Sequence, residues 1–154
     1  MKNIALALTS LIAVVLLGNQ AIAEDVVLSA AQVTKLFSDR TMTVEQVKHK
    51  DEAPFRVYTA SNGMVRSRHN DEDSDNRTWK TSENSRFCFS RSFRRQRSTN
   101  ASGSTCGFIV TDGGGVYRLY QSKKLKVENG QLVGVKKNDL LLNFSSFSAG
   151  NTLK

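Results

Sequence analysis

The side chains best suited to bind a charged partner are five arginines in the second half of the chain. They are Arg86, Arg91, Arg94, Arg95 and Arg97, and no Asp or Glu occurs from position 84 through 111. Guanidinium groups form paired hydrogen bonds with phosphate, sulfate and carboxylate. The sequence therefore supports two interpretations. The arginines form a site for an anionic partner, or they occupy the solvent-exposed side and the loop of a hairpin whose phenylalanines form the core.

The other reactive residue types follow no recognisable catalytic or metal-binding pattern. His49 and His69 are the only histidines, they lack HxxxH or HExxH spacing, and the chain has no GxSxG motif. Asp71, Asp73 and Asp75 alternate as at the start of a calcium loop, but positions 76 and 82 hold Asn and Ser instead of Gly and Glu. We therefore predict a protein that is not an enzyme and has no cofactor or metal; an uncharacterised hydrolase is the minor alternative.

The N-terminal segment, residues 1–23, has the features of a signal peptide. Lys2 precedes an apolar run over 4–17, and Ala21-Ile22-Ala23 is a small-x-small cleavage site. The run is shorter than the roughly 20 apolar residues of a spanning helix, so we expect no transmembrane segment after cleavage. In an exported chain, Cys88 and Cys106 are expected to form a disulfide; two buried free thiols are the alternative.

The chain is basic, with a formal net charge of +8 over 154 residues. A basic exported protein can meet anionic envelope polymers, lipid head groups or acidic proteins. The same positive charge would also attract the phosphates of nucleic acid. Export and the lack of any DNA- or RNA-binding motif argue against nucleic acid as the partner.

One helix is predicted over residues 28–37, at the start of the mature chain. Ser29 and Gln32 form a capping box, in which each side chain accepts a backbone N–H of the other residue. Val33, Leu36 and Phe37 then lie on one face. Because the helix is short, we expect that face to pack on a sheet.

After position 39 the apolar pattern changes to period two, which is typical of strands. Strands are predicted at 42–44, 55–59, 64–69, 77–81, 86–93, 105–111, 116–121, 125–127, 132–135 and 140–144. Asn62-Gly63 predicts a type I′ hairpin, 70–76 a polar loop, 94–104 a basic flexible loop and 145–154 a frayed tail. Such closely spaced strands indicate a small antiparallel barrel or strongly curved sheet, in one domain over 24–148 with a flexible tail at 149–154.

Several short motifs are spread over residues 28–120. They are LSAAQV followed by LFS and Thr41, the aromatic strand 55–58 with Asn62-Gly63, Trp79, Phe87-Cys88, and Cys106. In these motifs the chain resembles a family of small exported bacterial proteins of unknown function. It differs from the family in the pair Arg77-Thr78, where Gly-Thr is usual, in Phe89 and Phe93, where a second tryptophan is common, and in the long arginine-rich loop. The resemblance implies a lipocalin-like barrel in a periplasmic or secreted protein, and it implies no catalytic or ligand residues.

Two functional hypotheses follow. The first is a non-enzymatic binding module that takes a small amphipathic ligand into the barrel. Trp79, Phe87, Phe89, Tyr117 and Leu119 would then line or plug its interior. The second is an envelope or protein-interaction factor that binds an anionic partner through the arginines named above. The sequence gives no prediction of oligomeric state.

Overall fold

The computed structural model describes residues 25–48, 51–69, 72–90 and 104–153, with the backbone alone at 69 and 72–76. The predicted signal peptide lies outside these ranges. The elements in chain order are β1 (Val26–Val27), α1 (Ala30–Phe37), β2 (Arg40–Gln46), β3 (Phe55–Thr59), β4 (Met64–His69), β5 (Glu72–Thr81), β6 (Arg86–Ser90), β7 (Ser104–Thr111), β8 (Tyr117–Tyr120), β9 (Lys126–Glu128), β10 (Gln131–Val133) and β11 (Leu140–Ala149).

Eight antiparallel strands form a closed barrel. Strands β2 to β8 pair with their neighbours in chain order, and β11 lies between β8 and β2. The pairing of β7 with β8 completes the circuit, while β9 and β10 form a separate hairpin. The prediction of a mainly β fold with one helix is therefore confirmed, and the sheet is closed rather than open.

The side chains alternate between the barrel interior and its outer surface. On β6, Phe87 and Phe89 belong to the interior core. Cys88 between them points outward and forms the predicted disulfide with Cys106, its direct partner on β7. Alternation of this kind is the strand periodicity that the sequence displays. The core is completed by Leu28, Val33, Phe37, Met42, Val44, Phe55, Val57, Val65, Trp79, Ile109, Leu119, Leu142 and Phe144.

Helix α1 places Phe37 inside the barrel. The Phe37 ring centroid lies 4.5 Å from that of Phe87 and 5.1 Å from that of Phe144, so it reaches strands on both sides of the interior. The helix begins at the predicted cap. Gln32 N–H donates to Ser29 Oγ at 3.3 Å, and Ser29 N–H donates to Gln32 Oε1 at 2.8 Å.

A second apolar layer covers part of the outer surface. Val27, Phe108, Val110 and Leu125 are its buried members, with Tyr120 and Leu132 packed against them. The β9–β10 hairpin is held to β1 by a 2.8 Å hydrogen bond from the Val27 N–H to the Gly130 carbonyl. Strand β7 is therefore covered by apolar side chains on both faces.

Two turns that contain Asn-Gly differ from each other. At Asn62-Gly63 only the glycine has positive φ (86°), and its N–H donates to the Ala60 carbonyl at 3.0 Å. This is a longer hairpin loop with a left-handed glycine, not the predicted type I′ turn. Gly63 also accepts the Trp79 N–H at 2.8 Å, so pairing with β5 fixes its conformation. Asn129 and Gly130 both have positive φ (51° and 79°), as type I′ requires.

The structure also differs from the sequence prediction in the polar segment 70–76. Strand β5 begins at Glu72, where a loop was expected, because its backbone pairs with β4 at Glu72, Asp73 and Ser74.

The C-terminal segment is ordered by pairing as well. Strand β11 continues to Ala149 along β2, where a frayed tail from 145 was expected. Beyond it, the Gly150 N–H donates to the Asp39 carbonyl at 2.8 Å. The Arg56 guanidinium donates to the Thr152 hydroxyl at 2.7 Å. These contacts tie residues 150–152 to the barrel, where a flexible tail was expected from 149.

Candidate functional site

The five residues predicted to line or plug the barrel pack against one another. The ring centroids of Trp79 and Phe87 lie 5.9 Å apart and their planes are stacked, and Phe89 lies 5.9 Å from Phe87. Leu119 is fully buried in the same core, and Tyr117 packs at its edge. The Trp79 indole N–H donates to the Ala60 carbonyl at 2.8 Å. Together with Phe37, these side chains belong to or pack against one core cluster.

The predicted anionic-partner site falls mainly outside the described residues. Arg91, Arg94, Arg95 and Arg97 lie there, so their role stays a prediction. Arg86 is described. It begins β6 on the outer surface, and its guanidinium carbon lies over the Phe108 ring, 4.6 Å from the ring centroid.

Beside Phe108 a cleft of about 480 Å³ opens on the outer surface of the barrel. Its apolar lining is Val27, Leu28, Phe108 and Val127, and its polar lining is Ser29, Gln32, Asn84 and Ser85. Phe108 is 5% exposed and Val127 is 41% exposed, so the lining passes from an almost buried floor to an open wall. The cleft therefore presents an apolar floor with uncharged polar groups at its rim.

Four chain segments meet at this cleft. Strand β1 pairs with β7, and the Leu28 N–H donates to the Ile109 carbonyl at 2.8 Å. These contacts fix the position of the residues before α1. The turn between β5 and β6 is joined to the helix by Ser85, whose hydroxyl accepts the Ala30 N–H at 3.2 Å. The β9–β10 hairpin supplies Val127 on the remaining side. Long-range contacts between short segments thus define the cleft.

An ion-pair network on the outer surface holds β1 at the cleft. Arg118 on β8 lies 3.1 Å from an Asp25 carboxylate oxygen and 2.6 Å from an Asp112 carboxylate oxygen. The hydrogen bond to Asp112 is the main cause that raises the pKa of Arg118. Since Asp25 directly precedes β1, the network fixes the strand that lines the cleft.

The arrangement offers binding contacts and no recognisable catalytic set. The eight lining residues include two serines but no histidine, carboxylate or cysteine. Within the ranges described above, no group of three or more His, Cys, Asp and Glu side chains could hold a metal ion. Those ranges also contain no helix long and apolar enough to cross a membrane.

The sequence alone does not predict the cleft. It predicts Ser29 and Gln32 only as a helix cap, and it predicts Phe108 and Val127 only as strand residues. One signal was present: Phe108, Ile109 and Val110 are apolar in succession, which is typical of a strand covered on both faces. That signal indicates a second layer over β7, although it does not specify which segments form it.

The chain was compared with protein-family models, with curated proteins and with solved structures, and no match was found in any of the three.

Proposed function

We propose that this protein is a non-enzymatic binding module for a small amphipathic ligand, built on a lipocalin-like barrel. The observation that carries the proposal is the cleft between β1, the start of α1, the β5–β6 turn and the β9–β10 hairpin. A volume of about 480 Å³ is in the range of small-molecule sites. Apolar walls with a few polar groups are typical of such sites.

The proposal places the ligand outside the barrel rather than within it. Two of the aromatic side chains expected to line the interior, Trp79 and Phe87, are in ring contact with Phe37, and a ligand there would have to displace them. At the cleft, an alkyl chain would cover Phe108 and Val127. Its polar end would then meet the hydroxyl and amide groups of Ser29, Gln32 and Asn84.

The lipocalin-like label rests on the strand order. Eight strands that follow one another around a closed antiparallel barrel, preceded by a short helix, form an up-and-down barrel of the kind found in lipocalins. We further propose that the protein is exported to the periplasm or secreted. The disulfide is consistent with this, since such bonds persist in oxidising compartments.

Titration with a neutral amphiphile tests the binding proposal. In amide NMR spectra, n-octyl glucoside below its micelle concentration should shift Leu28, Ser85, Phe108 and Val127. Asn84→Trp should fill the cleft from its exposed rim and weaken these shifts. Glu83→Trp changes the neighbouring exposed residue of the same turn, which does not line the cleft, and should leave them unchanged. Shifts confined to interior residues, or equal effects of the two variants, would contradict the proposal.

A further inference from the structure

We propose that the ligand of this cleft is an anionic single-chain amphiphile whose carboxylate head group binds the Arg86 guanidinium. The inference rests on the proposed function and adds the charge of the ligand and the residue that recognises it. The cleft lining itself is uncharged. The selectivity must therefore come from a charged residue beside it.

Arg86 stands at the edge of the cleft because of its strand pairing. It is the direct cross-strand partner of Phe108, which forms part of the cleft floor. It also follows Ser85, which lines the rim. A ligand that covers the Phe108 side chain therefore comes close to the guanidinium that already lies over the ring.

The contact with Phe108 leaves the guanidinium without a hydrogen bond from its N–H donors to any described residue. A guanidinium over an aromatic ring uses its face for the cation–π contact, while its five N–H donors lie in its plane. Two of them match the oxygens of one carboxylate. The ring thus holds the group beside the cleft floor, where an incoming anion can meet these donors.

Two outer-surface arginines differ in their protein partners. Arg118 is paired with Asp25 and Asp112. Among the described residues, the Arg86 side chain contacts the Phe108 ring and forms no salt bridge; its backbone N–H donates to the Ser82 hydroxyl. Within the described part of the chain, no acidic side chain therefore neutralises the charge of Arg86, which complements an anionic head group.

The test compares decanoate with n-octyl glucoside, which has a neutral head group, by calorimetry below their micelle concentrations. The unmodified protein should bind decanoate more tightly. Arg86→Gln should weaken decanoate binding about tenfold or more, as expected for a hydrogen bond to a charged group. It should change octyl glucoside binding less than about twofold, because the neutral head group of that ligand meets the uncharged rim rather than Arg86.

Two further variants separate recognition from general charge. Lys80→Gln removes one exposed positive charge from the same outer face of the sheet and should leave both affinities within about twofold, since Lys80 does not line the cleft and exposed charges are screened. Arg86→Lys keeps the charge but loses the planar fork, so decanoate binding should fall between that of the unmodified protein and that of Arg86→Gln. Acetate should compete weakly, because it supplies the head group without the chain.

The remaining outcomes reject either the proposed function or this inference alone. Binding of neither amphiphile would reject the proposed function and this inference with it. Equal binding of both, unaffected by Arg86→Gln, would reject the inference and leave the function standing. Loss of both ligands in Arg86→Gln would show that Arg86 only supports the cleft, which also rejects the inference.

Discussion

A Cβ atom on Gly107 would clash with the carbonyl oxygen of Tyr120. It would also lie 2.8 Å from a methyl carbon of Leu119, which is fully buried. These contacts occur where β7 meets β8 and the barrel closes. The backbones of the two strands therefore approach at a point that has room only for glycine.

Gly107→Ala should accordingly destabilise the protein. Since the backbone of Tyr120 cannot move without disturbing β8, we expect a loss of about 1–3 kcal/mol in the free energy of unfolding, as for overpacked cores. Urea denaturation followed by tryptophan fluorescence measures it. Ser104→Ala, at the exposed start of the same strand, should change stability by less than about 0.5 kcal/mol. An unchanged midpoint in Gly107→Ala would show that β7 can move away from β8.

Thr41→Val should loosen the C-terminal segment. The Thr41 hydroxyl is fully buried, donates to the Gly150 carbonyl at 2.7 Å and accepts the Thr152 N–H at 3.0 Å. Valine keeps the shape but leaves both backbone groups without their partner, which typically costs about 1–3 kcal/mol. Hydrogen exchange of the Thr152 amide should accelerate. Thr43→Val is the matched control on the same face of β2, since the described residues provide no hydroxyl partner for Thr43. Equal stability losses in the two variants would contradict this role.

Asp39 should contribute to the pH dependence of stability. A hydrogen bond from the Ser61 backbone N–H is the main cause that lowers the pKa of Asp39 below its ordinary value of 3.8. A carboxyl whose pKa is lower in the folded state stabilises fully above its unfolded pKa, and this stabilisation is lost as pH falls through the folded pKa.

Asp39→Asn should therefore flatten the stability curve below about pH 4. Asparagine tolerates the positive φ of 52° at this position, so the backbone should not change. Urea midpoints measured from neutral to strongly acidic pH provide the curve. The variant should be less stable at neutral pH and should converge with the unmodified protein in strong acid. A gap that persists in strong acid would show that the carboxylate charge is not the cause.

The arginines of the segment 91–97 allow a test of the anionic-partner hypothesis. Replacing Arg91, Arg94, Arg95 and Arg97 by Ser should lower retention on a heparin column and reduce its salt dependence, because fewer counterions are released. A control that replaces the exposed lysines Lys123, Lys124, Lys136 and Lys137 by Ser removes the same charge elsewhere. Equal loss in the two variants would show that net charge, rather than this segment, determines retention.

The features predicted correctly from the sequence are mostly local. The capping box of Ser29 and Gln32 satisfies its own backbone donors, so four residues of sequence suffice to identify it. The alternation of Phe87, Cys88 and Phe89 reflects the two faces of a strand, which every strand shares. Chain composition and the predicted export route pointed to the disulfide.

The features that the sequence did not predict depend on distant partners. The polar start of β5 is a strand because β4 lies beside it, and Gly63 has its conformation partly because Trp79 donates to it. The cleft requires Val27, Asn84 and Val127 to meet, although they are far apart in the chain. No local sequence pattern specifies such long-range contacts, since the apolar periodicity of each segment is the same with or without them.

The pairing of β2 with β11 also determines when the barrel can form. Arg40 and Ala149 are direct partners in that pairing, so the two paired strands lie near opposite ends of the described sequence. Local pieces such as α1 and the β3–β4 hairpin can form early, whereas closure requires β11 to pair with β2. Contacts of such long sequence separation slow folding. A chain of this topology should therefore remain an open sheet until β11 pairs with β2, and only that pairing makes it a barrel.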